Sequence, residues 1–415
     1  MSLIKISILN GFSVATKIIC NLAVNKLLAI YIGPSGYAVI GQFQNIVSIF
    51  SNLGGGVMGV GVSKMTSQHF DDAAKQHIYW KTAIQITLIS SLIAAIILML
   101  VSDVLAKFLQ NNLHSIILCL SLAIPGIALN NILLAIINGK KEFNFYILIN
   151  IATSIFTMLI VLVLTYFYGL KGALAGMVFA PSIMLGVALK FCFSFNWFKV
   201  NYIWGGINKL AAKELLSLAL MSVTSSIASP LTLMVIRDNL VLVLGLESAG
   251  YWQASWKLSE TYLMIATTTL SVYFLPRIAE IRGGEELKKE IIKVNTFIIP
   301  TTIFIASLIY ILRENIVEIV FTGSFMPMIK LFPWQLAGDV IKMASWILSF
   351  VMLGRGMIKE FIATEVIFSG TFIFLSHALI NNYGLVGASI SYAANNFLYY
   401  ITLYFIINLE VKKLN

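Results

Sequence analysis

Charge is scarce in this chain. Only 11% of its 415 residues are Asp, Glu, Lys or Arg, against 59% hydrophobic, and the mean hydropathy is +0.90. No stretch is polar enough to present the solvated surface of a separate soluble domain. Cysteine is almost missing: Cys20, Cys119 and Cys192 all fall in apolar runs, and an odd, buried set argues against a disulfide framework or a metal site. The four histidines, His69, His77, His114 and His377, are scattered between loops and helix ends, which argues against a shared metal centre. There is no P-loop, no H-E-x-x-H and no nucleophile set, so the sequence offers no catalytic residues, no metal ligands and no cofactor.

What the chain does have is long apolar runs. Stretches of 18 residues or more recur from end to end, each able to cross a hydrocarbon core of ~30 Å as a helix. The runs predict an all-α integral membrane protein with about twelve transmembrane helices, at 8–31, 38–62, 80–101, 114–138, 145–167, 172–193, 214–244, 250–274, 293–312, 329–353, 358–380 and 385–408. The first run is interrupted by Lys17 and lacks a small-residue cleavage pattern, so it is expected to be a retained helix. Pro125, Pro181, Pro230 and Pro300 fall inside spans, where a missing N–H weakens or kinks the helix. Gly54, Gly55, Gly56, Gly59 and Gly61 near the end of the second span permit close packing or a hinge.

The net charge of +10 invites a nucleic-acid reading, which its distribution argues against. With the N-terminus in the cytoplasm, nineteen Lys and Arg, Lys5 among them, fall in loops on that side; Lys107, Lys171, Arg313 and Lys330 are the four on the other. This is the asymmetry of short loops in the positive-inside rule, and it places both termini in the cytoplasm.

A second signal is internal repetition at an offset of about 214 to 218 residues. YGLKGA at 168–173 recurs as YGLVGA at 383–388, Gly36-Tyr37 as Gly250-Tyr251, and Lys141-Glu142-Phe143 as Lys359-Glu360-Phe361. Three matches in one order predict two pseudo-symmetric six-helix bundles around a central cavity, as in parallel-repeat transporters. The expected divisions are 1–194, a basic and aromatic interfacial linker at 195–213 with Trp197, Tyr202 and Trp204 at headgroup level, and 214–415.

Nine ionisable residues fall inside the apolar runs: Lys17, Lys26, Arg237, Asp238, Lys257, Glu260, Asp339, Lys342 and Glu365. Each costs roughly 2.5–3.5 kcal/mol on an insertion scale, and the set on the order of 20–30 kcal/mol, unless they face one another or water. Their estimated depths span much of the membrane, which suggests a polar pathway. The repeat pairs Lys26 with Arg237, one cation on the first helix of each half. Lys257 with Glu260, and Asp339 with Lys342, are i,i+3 neighbours that share a helix face. Lys17 and Lys26 point to opposite sides of a straight helix, so either that helix bends or one of them lies off the cavity; Lys26 is near enough to the surface to snorkel. Asp238 beside Arg237 is a candidate structural ion pair.

Several segments resemble one family. MSLIKIS with Lys17, KLLA followed by GPSG (26–29 and 33–36), SVYFLP (271–276), PWQLAGDVIKM (333–343) and TEV (364–366) look like the flippases for undecaprenyl-pyrophosphate-linked oligosaccharides. These are the O-antigen and enterobacterial common antigen (lipid III) translocases of the multidrug/oligosaccharidyl-lipid/polysaccharide superfamily, and the resemblance covers essentially the whole chain. It implies a transporter in the bacterial inner membrane that moves the lipid-linked repeat unit from cytoplasmic to periplasmic leaflet by alternating access. On that resemblance Lys17, Lys26, Arg237, Lys257 and Lys342 would bind the pyrophosphate. Glu260, Asp339 and Glu365 would be the cavity acids coupled to protons or another ion. Tyr37, Tyr251, Trp252, Trp256 and Trp346 would stack on sugar rings. The lipid bilayer and the polymerase and chain-length proteins of the same pathway are the further partners it implies.

Rival readings remain at this point. A multidrug extruder of the same fold should favour acids for cationic drugs, whereas five cations face four acids here. A membrane-embedded polysaccharide polymerase or ligase would be an enzyme, and the types it would resemble carry a large periplasmic loop; the longest one expected here, near 313–328, is short. A lipid II flippase would look like fourteen helices.

Overall fold

In a computed structural model that describes residues 3–109 and 113–414, with the side chains of 3–8 and of Val272 outside the description, every long element is a helix. Lys5, counted above as a cytoplasmic cation, is among those undescribed side chains. The order is α1 Leu3–Tyr31, α2 Gly33–Ser51, a π turn Asn52–Gly56, α3 Met58–Gln68, α4 Ala73–Leu100, α5 Ser102–Phe108, α6 His114–Gly139 and α7 Phe143–Ser194. After the linker come α8 Lys209–Thr269, a second π turn Leu270–Phe274, α9 Leu275–Glu280, α10 Gly284–Ile311 and α11 Arg313–Val320. A 3-10 segment Gly323–Leu331, then α12 Phe332–Arg355, α13 Ile358–Tyr383 and α14 Leu385–Leu414 complete the chain.

Nine of the described helices are long and apolar enough to cross a membrane. Two of them are broken by a glycine. Gly169 (φ 56°, ψ −134°) divides the 52-residue α7 and Gly245 (φ 84°, ψ 169°) divides the 61-residue α8, each with a backbone conformation only glycine adopts freely. Helices begin earlier than the apolar runs: α4 starts at Ala73, α8 at Lys209 and α10 at Gly284. Their polar first turns continue the helix beyond the hydrocarbon, with Asp72 capping α4 by accepting from the Lys75 N–H at 3.1 Å and Asn208 accepting from the Leu210 and Ala211 N–H groups.

The chain forms two compact units, Met1–Tyr31 with Gln42–Pro230, and Ile32–Gly41 with Leu231–Asn415. The first therefore extends past the linker to Pro230, inside α8. Its core includes Val62, Trp80, Ala83, Ile132, Ile136 and Leu215, with a second cluster around Ile137, Ile149, Ala188, Cys192 and Phe198.

The same skeleton occurs twice. The π turns Asn52–Gly56 and Leu270–Phe274 interrupt the second helix of each series. α4 and α10 are both 28 residues long, and each gives way to a short helix at a residue outside helical geometry, Val101 (φ −94°, ψ 5°) and Leu312 (φ −94°, ψ 15°). Gly384 (φ 60°, ψ −140°) repeats the break of Gly169. At Gly172 an added Cβ would strike the Leu164 carbonyl, and at Gly387 the Leu379 carbonyl. The YGL-x-GA motif is thus a backbone requirement met twice: a glycine turn, then a second glycine that lets the next helix lie against the last turn of the one before.

This register corrects one sequence match. α6 ends with the Lys141 N–H donating to Asn138 O and the Glu142 N–H to Ile137 O, and α12 ends with Gly356 donating to Leu353 O and Met357 to Met352 O. The counterpart of Lys141 is therefore Gly356; Lys359, paired with it by side-chain type, lies three residues on. Each half also packs a glycine of this helix against the segment that follows its π turn: Gly139 meets Thr66 and Ser63, and Gly354 meets Ile278 and Leu275.

Candidate functional site

Five of the charges that the sequence places in the second unit, Lys257, Glu260, Asp339, Lys342 and Glu365, gather around α12. Gln335, Asp339, Lys342 and Trp346 follow one another at spacings of four, three and four, so they line one face. Asp339 is fully buried and its carboxylate is met by three hydroxyls: Ser259 Oγ and Tyr262 OH each donate to Oδ2 at 2.6 Å, and Tyr392 OH donates to Oδ1 at 2.8 Å. Ser259 is itself held by Gln335 Nε2 at 3.2 Å. Hydrogen bonds to a charged acceptor contribute roughly 1.5–3 kcal/mol each, which is how a buried carboxylate is tolerated here. Gly338 makes the arrangement possible, because a Cβ there would collide with the Tyr392 ring.

One turn on, Lys342 Nζ sits in a cage of aromatic faces, 4.9 Å from the Trp256 ring centroid, 4.7 Å from Trp346 and 5.5 Å from Tyr392. Asp339, Glu260 and Glu365 all act on it electrostatically. Glu260 accepts from Trp256 Nε1 at 3.0 Å and pairs with Lys257 at 3.1 Å, and Glu365 accepts from Tyr399 OH at 3.4 Å. Tyr392 serves twice, as donor to Asp339 and as a wall of the cage, so the acid and the cation are coupled through one ring. Three carboxylates and two ammoniums share this region, and they come from α8, α12 and α13.

Arg237 lies apart from the caged lysine in the same unit. It is 1% exposed, donates from Nη2 to Gln253 Oε1, sits 5.5 Å from the Trp252 ring centroid and interacts electrostatically with Glu260. Asp238 beside it is half-buried. Lys17 and Lys26 belong to the first unit; Lys17 is exposed and Lys26 half-buried. Of the candidate sugar-stacking rings, Tyr37 is enclosed edge-on by Phe321 and Phe325, and Trp252 is fully buried. Trp346 is half-buried against Lys342.

The sequence pointed to the ionic residues but not to their partners. Ser259, Tyr262, Gln335, Tyr392 and Tyr399 are types common in apolar helices. The signal available was their phase: Trp256, Ser259, Tyr262 and Gln335, Asp339, Lys342 repeat at helical spacing within otherwise apolar runs. Among the described residues no group of His, Cys, Asp and Glu is arranged to hold a metal ion.

A family model described as polysaccharide biosynthesis protein matches residues 27–330. The chain belongs to that family. A lipid III flippase of Escherichia coli (strain K12) is 26% identical over 402 residues, covering 96% of this chain and 97% of that protein. The fold is that of a known transporter class: an inward-facing multidrug resistance MATE family transporter of the MOP superfamily superposes with a TM-score of 0.81 at 14% identity, covering 96% of this chain and 95% of that one. An outward-facing structure titled in the same terms gives 0.74 at 15% identity, covering 99% and 95%. This member of the polysaccharide biosynthesis family is a multi-pass bacterial membrane protein and a transporter rather than an enzyme.

Proposed function

We propose that the protein is a flippase that carries an undecaprenyl-pyrophosphate-linked oligosaccharide repeat unit from the cytoplasmic to the periplasmic leaflet of the inner membrane, with both termini cytoplasmic. One crossing for each arm of α7 and α8, and one for α14, completes twelve. Full-length similarity to a lipid III flippase supports the cargo, and the caged Lys342 beside the hydroxyl-bound Asp339 is the observation that carries the mechanism.

Within this reading the nine charges divide their work. A pyrophosphodiester brings about two negative charges that need cations when removed from water. Lys342 and Lys257 already lie among three carboxylates, so their charge is largely spent, and this region suits exchange of a proton or other coupling ion better than anion capture. Arg237, buried against Gln253 and Trp252, is the cation of this unit assigned to the pyrophosphate, and Lys17 and Lys26 are those of the first unit. Protonation of Asp339 removes the negative charge to which Ser259, Tyr262 and Tyr392 donate and turns one of its oxygens into a donor, which weakens those hydrogen bonds. The Tyr392 wall of the Lys342 cage is released with it, and the balance between inward and outward states shifts.

The test is transport of a fluorescent polyprenyl-pyrophosphate oligosaccharide in proteoliposomes, with complementation of surface-polysaccharide export in a strain lacking the gene. Arg237→Ala, Lys342→Ala and Asp339→Asn are each expected to abolish export while the protein still reaches the membrane. Full export by all three would overturn the assignment of transport to these charges.

A further inference from the structure

A second cationic site lies in the first unit, outside the set of nine. At the end of that unit where α3, α4 and α6 meet the linker, Gln76 Nε2 donates to three carbonyls, Thr66 O at 3.0 Å, His69 O at 2.9 Å and Phe70 O at 3.2 Å. Trp80 Nε1 adds a bond to Thr66 Oγ1 at 2.9 Å. The turn is thereby fixed with the Phe70 ring outward, 39% exposed. Two ammoniums converge on that ring: Lys140 Nζ at 5.1 Å and Lys141 Nζ at 4.7 Å from its centroid. Lys140 also donates to Gln76 Oε1 at 3.2 Å and lies 5.4 Å from the Trp197 ring. Among the described residues neither ammonium has a carboxylate oxygen within ion-pair distance; Glu142 acts on Lys140 only at longer range.

Lys141 is, among the described residues, the one non-glycine with positive φ, at 60°. Its counterpart at the end of α12 is Gly356 (φ 68°). The fold shows that glycine suits this turn, yet the first unit holds a strained lysine there, beside a second lysine and under an aromatic ring. Backbone strain of this kind persists where the side chain has work to do. Two adjacent cations with no carboxylate oxygen within ion-pair distance, one of them beside the Trp197 ring, match a phosphate group better than a carboxylate side chain.

We propose that Lys140 and Lys141 bind the phosphate headgroup of an anionic membrane lipid, with Phe70 and Trp197 as the wall of the site. The site holds the first unit against the cytoplasmic leaflet independently of the cargo. Purified protein is compared by native mass spectrometry and thermal unfolding with phosphatidylglycerol, with phosphatidylcholine and with inorganic pyrophosphate. The wild type is expected to retain phosphatidylglycerol more than tenfold better than phosphatidylcholine and to unfold at higher temperature with it. Lys140→Gln combined with Lys141→Gly should lose that preference at least tenfold, while Lys141→Gly alone unfolds no earlier than wild type without lipid, showing that the fold is intact. Lys288→Gln, which changes an exposed lysine elsewhere, should keep the preference. Equal retention of phosphatidylglycerol by the double variant would overturn the proposal. So would stabilisation by inorganic pyrophosphate as strong as that by the lipid.

Discussion

The two halves of this chain share a skeleton and differ in what they bury. In the register set by the paired helix ends, Asp339 corresponds to Ile124 and Lys342 to Ile127, both buried apolar residues of α6. The α14 hydroxyl of Tyr392 corresponds to Met177. Even the small contacts follow the register: Ser376 and Ser391 hydrogen-bond at 2.8 Å where the first half packs Val161 against Gly176. A duplicated frame therefore tolerates two kinds of interior. The first is an ordinary apolar core, and the second is a polar network whose each member is positioned by another. The difference argues that the backbone frame does not require the Asp339–Lys342 pair, because the first half has the same frame with Ile124 and Ile127 in those places.

Substitutions at equivalent positions should affect the two halves differently. The largest effect should come from moving the acid: Ile124→Asp puts a carboxylate at the position equivalent to Asp339 with none of its three hydroxyl donors, and is expected to destabilise by about 3 kcal/mol or more, read as loss of folded protein in detergent. In the second half Lys342→Leu should cut transport by roughly tenfold or more, equivalent to about 1.4 kcal/mol of barrier, with a smaller loss of stability because the cage is apolar enough to accept a leucine. Gly172→Ala and Gly387→Ala should each cost about 1–3 kcal/mol and by similar amounts, since both meet a carbonyl of the preceding helix; a large inequality in thermal unfolding would show that the halves are less alike than their backbones. The smallest effect is the opposite in sign. Lys141→Gly should stabilise by about 1 kcal/mol by relieving the positive φ, whereas Gly356→Ala should destabilise by a similar amount.

The sequence showed most of the frame because membrane helices announce themselves by apolar length and because YGL-x-GA marks a turn only glycine can make. It did not show the π turns. Asn52–Gly56 reads NLGGG and Leu270–Phe274 reads LSVYF, so one backbone feature is written in two unrelated ways. The Lys141-Glu142-Phe143 match misled by three residues, because similar side chains near a helix start carry less register than the hydrogen bonds that end the helix before it. Of the site, the burden of buried charge was legible and the arrangement was not. Trp256 and Lys342 lie on different helices, and no local pattern reveals that a tryptophan face will cover a lysine, or that Tyr392, more than fifty residues beyond Asp339, completes its hydrogen bonds.

The proposed coupling rests on the Asp339–Lys342 network of the second half. The most direct test measures flipping of a polyprenyl-pyrophosphate oligosaccharide in proteoliposomes with and without a transmembrane pH gradient, for the wild type and for Asp339→Asn. The gradient is expected to accelerate the wild type and to leave the residual rate of Asp339→Asn unchanged; a variant that still responds to the gradient as the wild type does would place coupling elsewhere.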